Sequence, residues 1–164
     1  RPDDAKLDLF TVAERYRAYQ DMLHQIGAPA HPPFLIGGDN EMSSYEAHFN
    51  LDDSEIEPLI QHLCSDDRPT AIFAVNDWMA LKVLRAIQLA GLKNPDDISV
   101  IGFDDLDIAQ YQNPPLTTIA QDATLMGAEA ARRLLTLIEE EEAQSILTLL
   151  PTHLVERQST APIP

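Results

Sequence analysis

The sequence predicts an α/β fold in which a parallel β-sheet is flanked by helices on both faces. Residues 70–75 and 98–103 are two almost continuous apolar runs. Between them, apolar side chains recur at helical spacing until Gly91, where the helix is expected to end. Strand, helix and strand within about thirty residues form a βαβ unit, in which the two strands run parallel and the crossover is right-handed.

Two helices and one strand are predicted ahead of this unit. Residues 11–26 open with the capping-box pattern TVAE and carry apolar side chains every three or four positions up to Gly27. Residues 54–63 open with a second such pattern, SEIE, although Pro58 falls in the first turn. Residues 34–36 form a short apolar segment between the two helices and are interpreted as a strand.

The C-terminal third predicts a strand, a long helix and an edge strand. Residues 116–120 are β-rich, and residues 122–142 have an apolar stripe at helical spacing. The helix ends in four glutamates, residues 139–142, which oppose the helix macrodipole and indicate a solvated, frayed end. Residues 146–155 are interpreted as a last strand that Pro151 interrupts, which is typical of a sheet edge.

The composition indicates a globular protein that does not itself attract nucleic acid. Eleven Lys and Arg residues against 27 Asp and Glu residues give a formal net charge of −16, which repels phosphate backbones. No apolar run reaches the roughly eighteen residues of a membrane span. A single cysteine, Cys64, excludes an internal disulfide and suits a reducing cytoplasm. The first residue is Arg1 rather than Met, which is consistent with a fragment of a longer chain.

Polar residues follow both central strands, at the sheet edge where α/β proteins bind ligands. Asn76 and Asp77 follow the first strand, and Asp104 and Asp105 follow the second. Asn76 is expected either to cap the next helix or to contact a ligand, and Asp77 is expected to act as a cap. Asp104 is the better candidate ligand contact, because residues 106–112 are too weakly helical to need a cap.

Other side chains suited to ligand contact have competing structural roles. Arg15 lies beside the apolar face of the first helix, where its guanidinium either clamps ligand hydroxyls or a carboxylate or forms a surface ion pair with Glu14 or Asp8. Phe49 and Trp78 either stack on a sugar or base face or pack in the core or its rim.

Enzymatic chemistry has no support in the sequence. The motifs of serine hydrolases, P-loop nucleotide binders, dinucleotide binders and zinc peptidases do not occur. The five histidines show no metal-ligand spacing, and no cofactor is predicted.

Five stretches, in order, resemble the bacterial repressors of the LacI type, which respond to sugars and purines. They cover nearly the whole of this chain, but they correspond to only about the C-terminal half of a typical family member. The stretches are Thr11-x-x-x-Arg15, residues 69–80, residues 98–105, residues 114–119 with Gln121, and residues 149–160.

The resemblance implies a periplasmic-binding-protein-like fold of type I, with a ligand cleft between two subdomains. Asp104 would accept hydrogen bonds from effector hydroxyls or base nitrogens, and Asn76 would donate and accept beside it. Arg15 and Thr11 would hold the effector from the first helix. Gln121, just past a crossover between the subdomains, is a further candidate contact.

The resemblance also implies a division of the chain. Residues 1–115 would form most of the C-terminal effector subdomain, residues 116–143 a crossover strand and helix of the N-terminal subdomain, and residues 144–164 a return strand and tail. The helix-turn-helix headpiece is absent from this sequence, so the apolar stripe of the helix at 122–142 needs another partner, such as a second copy of the chain.

The sequence departs from the family pattern in two places. Ala18 replaces a usual glycine in the first helix, and residues 40–50, where an aromatic ring often stacks on the ligand, align poorly. Phe49 is the aromatic candidate within that segment.

The function that the resemblance implies is effector sensing by a cytoplasmic, homodimeric transcriptional regulator without membrane contact. The effector is expected to be a sugar rather than a purine, and operator DNA would be bound by the headpiece. The alternative is a periplasmic sugar-binding protein of a transport system. A signal peptide upstream would favour the alternative, and a helix-turn-helix upstream would exclude it.

Overall fold

The computed structural model describes residues 10–29, 31–34, 36, 53–139 and 147–162. Helices and strands alternate along most of this part of the chain. In order they are α1 (Phe10–Ile26), a 3-10 turn (Asp53–Glu55), α2 (Glu57–Leu63), β1 (Ala71–Phe73), α3 (Asp77–Leu89), β2 (Ser99–Asp104), α4 (Asp107–Gln110), β3 (Thr117–Gln121), α5 (Ala123–Glu139) and β4 (Thr152–Val155).

The four strands form one sheet in the order β1-β2-β3-β4. The first three strands are parallel, and β4 runs antiparallel to β3 at the edge. The predicted βαβ unit is therefore confirmed, as is the edge position of the last strand. Because β1, β2 and β3 are parallel, their carboxyl ends meet at one edge of the sheet, and Asp104 ends β2 opposite Ala120 of β3.

Successive side chains of β2 point to opposite faces of the sheet, and each face meets a helix. Gly102 faces Asp77 at the start of α3. Phe103, the next residue, lies under the guanidinium of Arg15 from α1. Helices therefore cover both faces of the sheet next to its carboxyl edge.

The hydrophobic core lies between α2, α3 and the face of β2 that carries Val100. Ile98 and Val100 are fully buried there, and Ala80 and Ala86 of α3 pack against them without exposed surface. Small side chains on α3 let the helix approach the sheet closely. Gly91, with a φ of 73°, follows the last turn of α3 in the left-handed conformation expected for a residue that ends a helix.

The C-terminal tail is inserted between the amino ends of β2 and β3. The Ser159 hydroxyl donates to the Val100 carbonyl over 2.6 Å and accepts from the Thr117 amide over 2.7 Å. The Val100 amide donates to the Ser159 carbonyl. Ser159 is fully buried, so the tail is an integral part of the sheet.

Both predicted capping boxes are wrong in position. Helix α1 already includes Phe10, so Thr11 lies inside the helix rather than at its N-cap. Helix α2 begins at Glu57 with Ile56 as an N-cap that makes no side-chain cap hydrogen bond, because Ser54 belongs to the preceding 3-10 turn. Pro58 is accommodated, since the first-turn N–H groups of a helix have no intrahelical acceptor.

Two strand predictions also need correction. Phe34 and Ile36 have irregular backbone, while Leu35 lies outside the described residues. Phe34 is 46% exposed and stacks on His62 at a centroid distance of 5.7 Å, and Ile36 is partly buried against the core, so these side chains contact the domain without strand pairing. Residues 147–150 are irregular as well, and β4 begins only after Pro151.

Helix α5 has an apolar stripe without buried residues in the described part of the chain. Leu134, Leu135 and Ile138 are each more than half exposed. The helix begins as predicted, and its acidic end beyond Glu139 lies outside the described residues. The predicted subdomain boundary at residue 116 stays a prediction, and β3, just after it, shares a sheet with β1 and β2.

Candidate functional site

Arg15 connects the ends of two strands at the carboxyl edge of the sheet. Its Nη1 donates to the Val75 carbonyl over 2.6 Å, and its Nη2 lies 3.5 Å from Oδ1 of Asp104. The guanidinium also stacks over the Phe103 ring, 3.7 Å from the ring centroid, in a cation–π contact. Three contacts fix the planar group, and only 18% of the Arg15 side chain is exposed. Arg15 is thus held at the sheet edge by several contacts and does not form the surface ion pair that was the alternative.

Asp104 receives a second donor from β3. Nε2 of Gln121 donates to Asp104 Oδ1 over 2.6 Å, the same oxygen that faces Arg15. Parallel pairing brings these residues together, because the last residues of neighbouring parallel strands end at the same edge. Gln121 also borders a pocket of about 190 Å³ between the start of α5 and residues 148–152. The structure therefore assembles Arg15, Asp104 and Gln121 into one cluster.

The turn after β2 holds two consecutive aspartates in left-handed backbone conformations. Asp104 has a φ of 106° and Asp105 a φ of 53°. Non-glycine residues rarely adopt such angles, which cost about 1–3 kcal/mol each and persist only where the surroundings hold them. This turn directs the Asp104 carboxylate towards Arg15 and Gln121.

Asn76 caps helix α3, which is one of the two roles predicted for it. Its Oδ1 accepts a hydrogen bond from the Met79 amide over 2.8 Å, and its own backbone is extended. The cap uses only the oxygen of the side-chain amide. Nδ2 of Asn76 lies at the same sheet edge as Asp104, so a ligand contact through this nitrogen remains a prediction.

Asp77 is not the cap that the sequence predicts. It is the first residue of α3 and is fully buried. Oδ1 of Asp77 accepts a hydrogen bond from the Thr118 hydroxyl over 2.6 Å, and Oδ2 accepts one from the Leu106 amide over 2.7 Å. The correction follows from the direction of the side chain, which points across the sheet while Asn76 takes the capping position.

Burial controls the electrostatics of this edge. It raises the pKa of the Asp77 carboxyl; the hydrogen bonds from Thr118 and Leu106 oppose the rise, and the nearby carboxylates of Asp104 and Asp105 add to it. Burial lowers the pKa of the Arg15 guanidinium, and the charge of Asp104 opposes this effect. An arginine stays charged at neutral pH, so the cluster presents both a fixed cation and an acceptor.

Arg157 is a site residue to which the sequence reasoning assigned no role. Its Nη2 donates to Asp105 Oδ1 over 2.6 Å, and its Nη1 donates to the Leu116 carbonyl over 2.8 Å. The tail thereby holds the turn that carries Asp104. The sequence signal that could have revealed this role is a strongly basic residue, Arg157, within the stretch LVERQST.

Two candidate residues gain no contact from the described structure. The side chain of Thr11 and the whole of Phe49 lie outside the described residues. Of the ion-pair partners proposed for Arg15, Glu14 pairs with Arg17 instead, and Asp8 is not described.

No group of three or more His, Cys, Asp or Glu side chains in the described ranges is arranged to hold a metal ion. Within the same ranges, no helix is both long and apolar enough to cross a membrane.

Comparisons with known proteins agree on one family. A family model described as a periplasmic binding protein-like domain matches residues 8–160. The HTH-type transcriptional repressor PurR of Photobacterium profundum is 34% identical over 149 residues, which cover 91% of this chain and 42% of that protein. The alignment therefore spans less than half of that relative.

Solved structures give the same result. The complex of the transcriptional regulator CelR with cellobiose matches with a TM-score of 0.73 and 30% identity, covering 90% of this chain and 42% of that chain. The Lac repressor dimer bound to operator and the anti-inducer ONPF matches with a TM-score of 0.72 and 33% identity, covering 92% of this chain and 48% of that chain.

The mostly parallel sheet with a charged and amide-rich carboxyl edge places this protein in the α/β class, in which ligands typically bind at that edge. The chain belongs to the periplasmic binding protein-like domain family, as the effector-binding portion of a LacI-type transcriptional regulator. The predicted fold class and the family resemblance are both confirmed. The relative from Photobacterium profundum is named a transcriptional repressor, a class of protein that is not enzymatic.

Proposed function

We propose that this chain senses a sugar through the cluster of Arg15, Asp104 and Gln121 and passes the signal to an operator-binding headpiece. The observation that carries the proposal is the convergence of Arg15 and Gln121 on one Asp104 oxygen at the carboxyl edge of the sheet. Among the described residues, neither of these donors contacts Oδ2, the second oxygen of the Asp104 carboxylate, and we propose that it accepts a ligand hydroxyl.

The chemistry of the cluster favours a polyhydroxylated ligand over a flat base. A guanidinium, a carboxylate and an amide offer donors and acceptors that suit neighbouring hydroxyl groups. Phe103 is the one aromatic ring among the described contacts of Arg15, and that ring is already covered by the guanidinium. The donors and acceptors of the cluster therefore carry the preference for a sugar, and CelR, a structural relative, is seen with cellobiose.

Regulation would follow from a change in cleft geometry. A sugar that binds one hinge state more tightly than the other shifts the equilibrium between them, typically by about 1–3 kcal/mol of coupling. DNA contact would lie outside this chain, whose net charge of −16 opposes it. The Lac repressor, a structural relative, is seen as a dimer bound to operator. We propose that the intact regulator is likewise a homodimer, located in the cytoplasm, whose two headpieces would contact two half-sites.

Calorimetric titration of the intact regulator with cellobiose, ribose, galactose, guanine and hypoxanthine tests the proposal. Asp104→Ala is the site variant, and Arg17→Lys is a matched control because Arg17 is exposed on the same helix as Arg15. We expect one of the sugars to bind, and the Asp104→Ala variant to lose that binding while the control retains it.

Ligand at about a hundred times its dissociation constant stabilises a protein by about 2.7 kcal/mol, so a thermal shift provides an independent readout. Binding of a purine alone would contradict the sugar assignment. Equal affinity in wild type and Asp104→Ala would contradict the site.

A further inference from the structure

We infer that Asp77, a residue without an expected ligand contact, positions Asp104 for effector binding. The inference deepens the proposed function and rests on it, because it assigns Asp77 to the same site. Asp77 itself faces the interior of the protein and is fully buried. It is therefore a positioning residue that acts through the turn after β2.

Asp77 connects three elements: helix α3, strand β3 and the turn after β2. It is the first residue of α3; its Oδ1 accepts a hydrogen bond from Thr118 on β3, and its Oδ2 accepts one from the amide of Leu106 in the turn. Thr118 is fully buried as well. The side chain therefore reaches from the helix past β2 to the neighbouring strand and back to the turn.

Gly102 leaves the room that this arrangement requires. A Cβ at residue 102 would lie 2.2 Å from Asp77 Oδ1, a distance that Cβ atoms do not show. The φ of Gly102 is not in the left-handed region, so backbone conformation does not explain why a glycine is needed here. The glycine is explained by the space that the Asp77 carboxylate occupies.

The hydrogen bond to Leu106 bears directly on the orientation of Asp104. Leu106 follows the two left-handed residues Asp104 and Asp105, so its amide is the first backbone donor after them. Strained conformations persist only where neighbouring groups hold them. Asp77 fixes the end of this turn, and Arg157 fixes the Asp105 carboxylate. Without the Asp77 acceptor, we expect the turn to relax and the Asp104 carboxylate to lose its position opposite Arg15.

A purely structural role for Asp77 makes a different prediction, which a matched control separates. Lys82 lies on the same helix and is almost completely buried, and its ammonium pairs with Glu55 over 2.6 Å. Lys82→Met removes a buried charge interaction of α3 away from the turn. A general loss of stability would change probe binding and Leu106 exchange in the Lys82 and Asp77 variants alike. Loss of the positioning of the turn would change them only in the Asp77 variant.

The experiment compares Asp77→Ala, Lys82→Met and Asp104→Ala in the intact regulator, at temperatures where circular dichroism shows each to be folded. The Ala side chain removes both carboxylate oxygens and leaves the Leu106 amide without its acceptor. Cellobiose and hypoxanthine are the binding probes, and amide hydrogen exchange of Leu106 is measured by NMR without ligand.

For Asp77→Ala we expect Leu106 exchange to accelerate and the dissociation constant of the bound probe to rise, each by about tenfold or more. We expect Lys82→Met to change neither quantity by more than about twofold. Unchanged Leu106 exchange in Asp77→Ala would overturn the inference, even if neither probe binds.

The outcomes also separate this inference from the proposed function. If Asp104→Ala weakens binding and Asp77→Ala does not, the positioning role is wrong and the site stands. If Asp104→Ala has no effect on binding, the proposed site fails, and with it the role of Asp77 in binding. Should Asp77→Ala not fold, Thr118→Val removes one of the two bonds that orient the carboxylate; faster Leu106 exchange supports the inference, and unchanged exchange overturns it.

Discussion

Arg15 and Asp104 face each other across 3.5 Å, although 89 residues separate them in the chain. The contact joins the first helix to the end of the second strand, and the same guanidinium binds the carbonyl of Val75. Arg15 therefore contacts the ends of two strands at once. A ligand that binds between the guanidinium and the carboxylate would alter both contacts.

Replacing Arg15 with Lys tests the need for a planar, forked donor. A lysine ammonium keeps the charge, but it cannot contact Val75 and Asp104 in the same fork geometry or stack as a plane on Phe103. We expect the dissociation constant of the bound sugar to rise by about tenfold to a hundredfold in calorimetric titrations. Arg17→Lys is the control, and equal affinities in the two variants would contradict the role of Arg15.

Replacing Arg157 with Met tests whether the tail holds the turn. The substitution removes the donors to Asp105 and to the Leu116 carbonyl. We expect the free energy of unfolding in urea to fall by about 1–3 kcal/mol. Arg132→Met is the control, because Arg132 is exposed and pairs with Glu129 one turn away, where such pairs contribute about 0.3–0.5 kcal/mol. Similar losses in both variants would show that the tail contact adds no stability.

Replacing Gly102 with Ala tests the close approach of Asp77. The added Cβ would clash with Asp77 Oδ1, so we expect a loss of about 1–3 kcal/mol in unfolding free energy. Gly127→Ala is the matched control, since a Cβ on this helical glycine meets no atom within 4 Å. That variant should gain about 0.4–1 kcal/mol. A stable Gly102→Ala variant would show that Asp77 has room to move.

The stability contributed by Asp77 should depend on pH. Its folded-state pKa is raised above the ordinary value of 3.8, chiefly by burial. Between those two values the folded state binds more protons than the unfolded state. Its contribution to stability is therefore fully present below pH 3.8 and is lost as the pH rises through the raised pKa.

Urea unfolding of wild type and Asp77→Asn at a series of pH values measures this dependence. We expect wild type to lose stability relative to the variant as the pH rises from 3.8 through the raised pKa, with a constant difference above that window. Parallel stability curves across the whole range would contradict a raised pKa for Asp77.

The chain alone should not bind DNA. With a net charge of −16 it lacks the cationic surface that neutralises phosphates and releases counterions. We expect no mobility shift of duplex DNA by the 164-residue chain at about 0.15 M salt. A sequence-specific shift would contradict the assignment of DNA contact to another part of the regulator.

Local sequence patterns were sufficient to predict most helices and strands. They failed where tertiary contacts compete with the local preference. The apolar runs at 70–75 and 98–103 predicted the parallel strands, because such strands are buried on both faces. The capping-box patterns misplaced the starts of α1 and α2, since several overlapping turns satisfy the same short motif. Residues 34–36 were interpreted as a strand, although Phe34 has an irregular backbone and remains exposed beside His62.

By itself, the sequence determined the α/β class, the acidic charge and the position of Asp104 at the end of a strand, because these depend on composition and on periodicity along the chain. Only the tertiary structure decided which groups meet that carboxylate. Arg15 and Gln121 reach it from different elements, Asp77 turns inward while Asn76 caps the helix, and Arg157 returns from the tail. The physical reason is that hydrogen bonding between side chains depends on distance in space, which strand order and helix packing set and which sequence separation does not reveal.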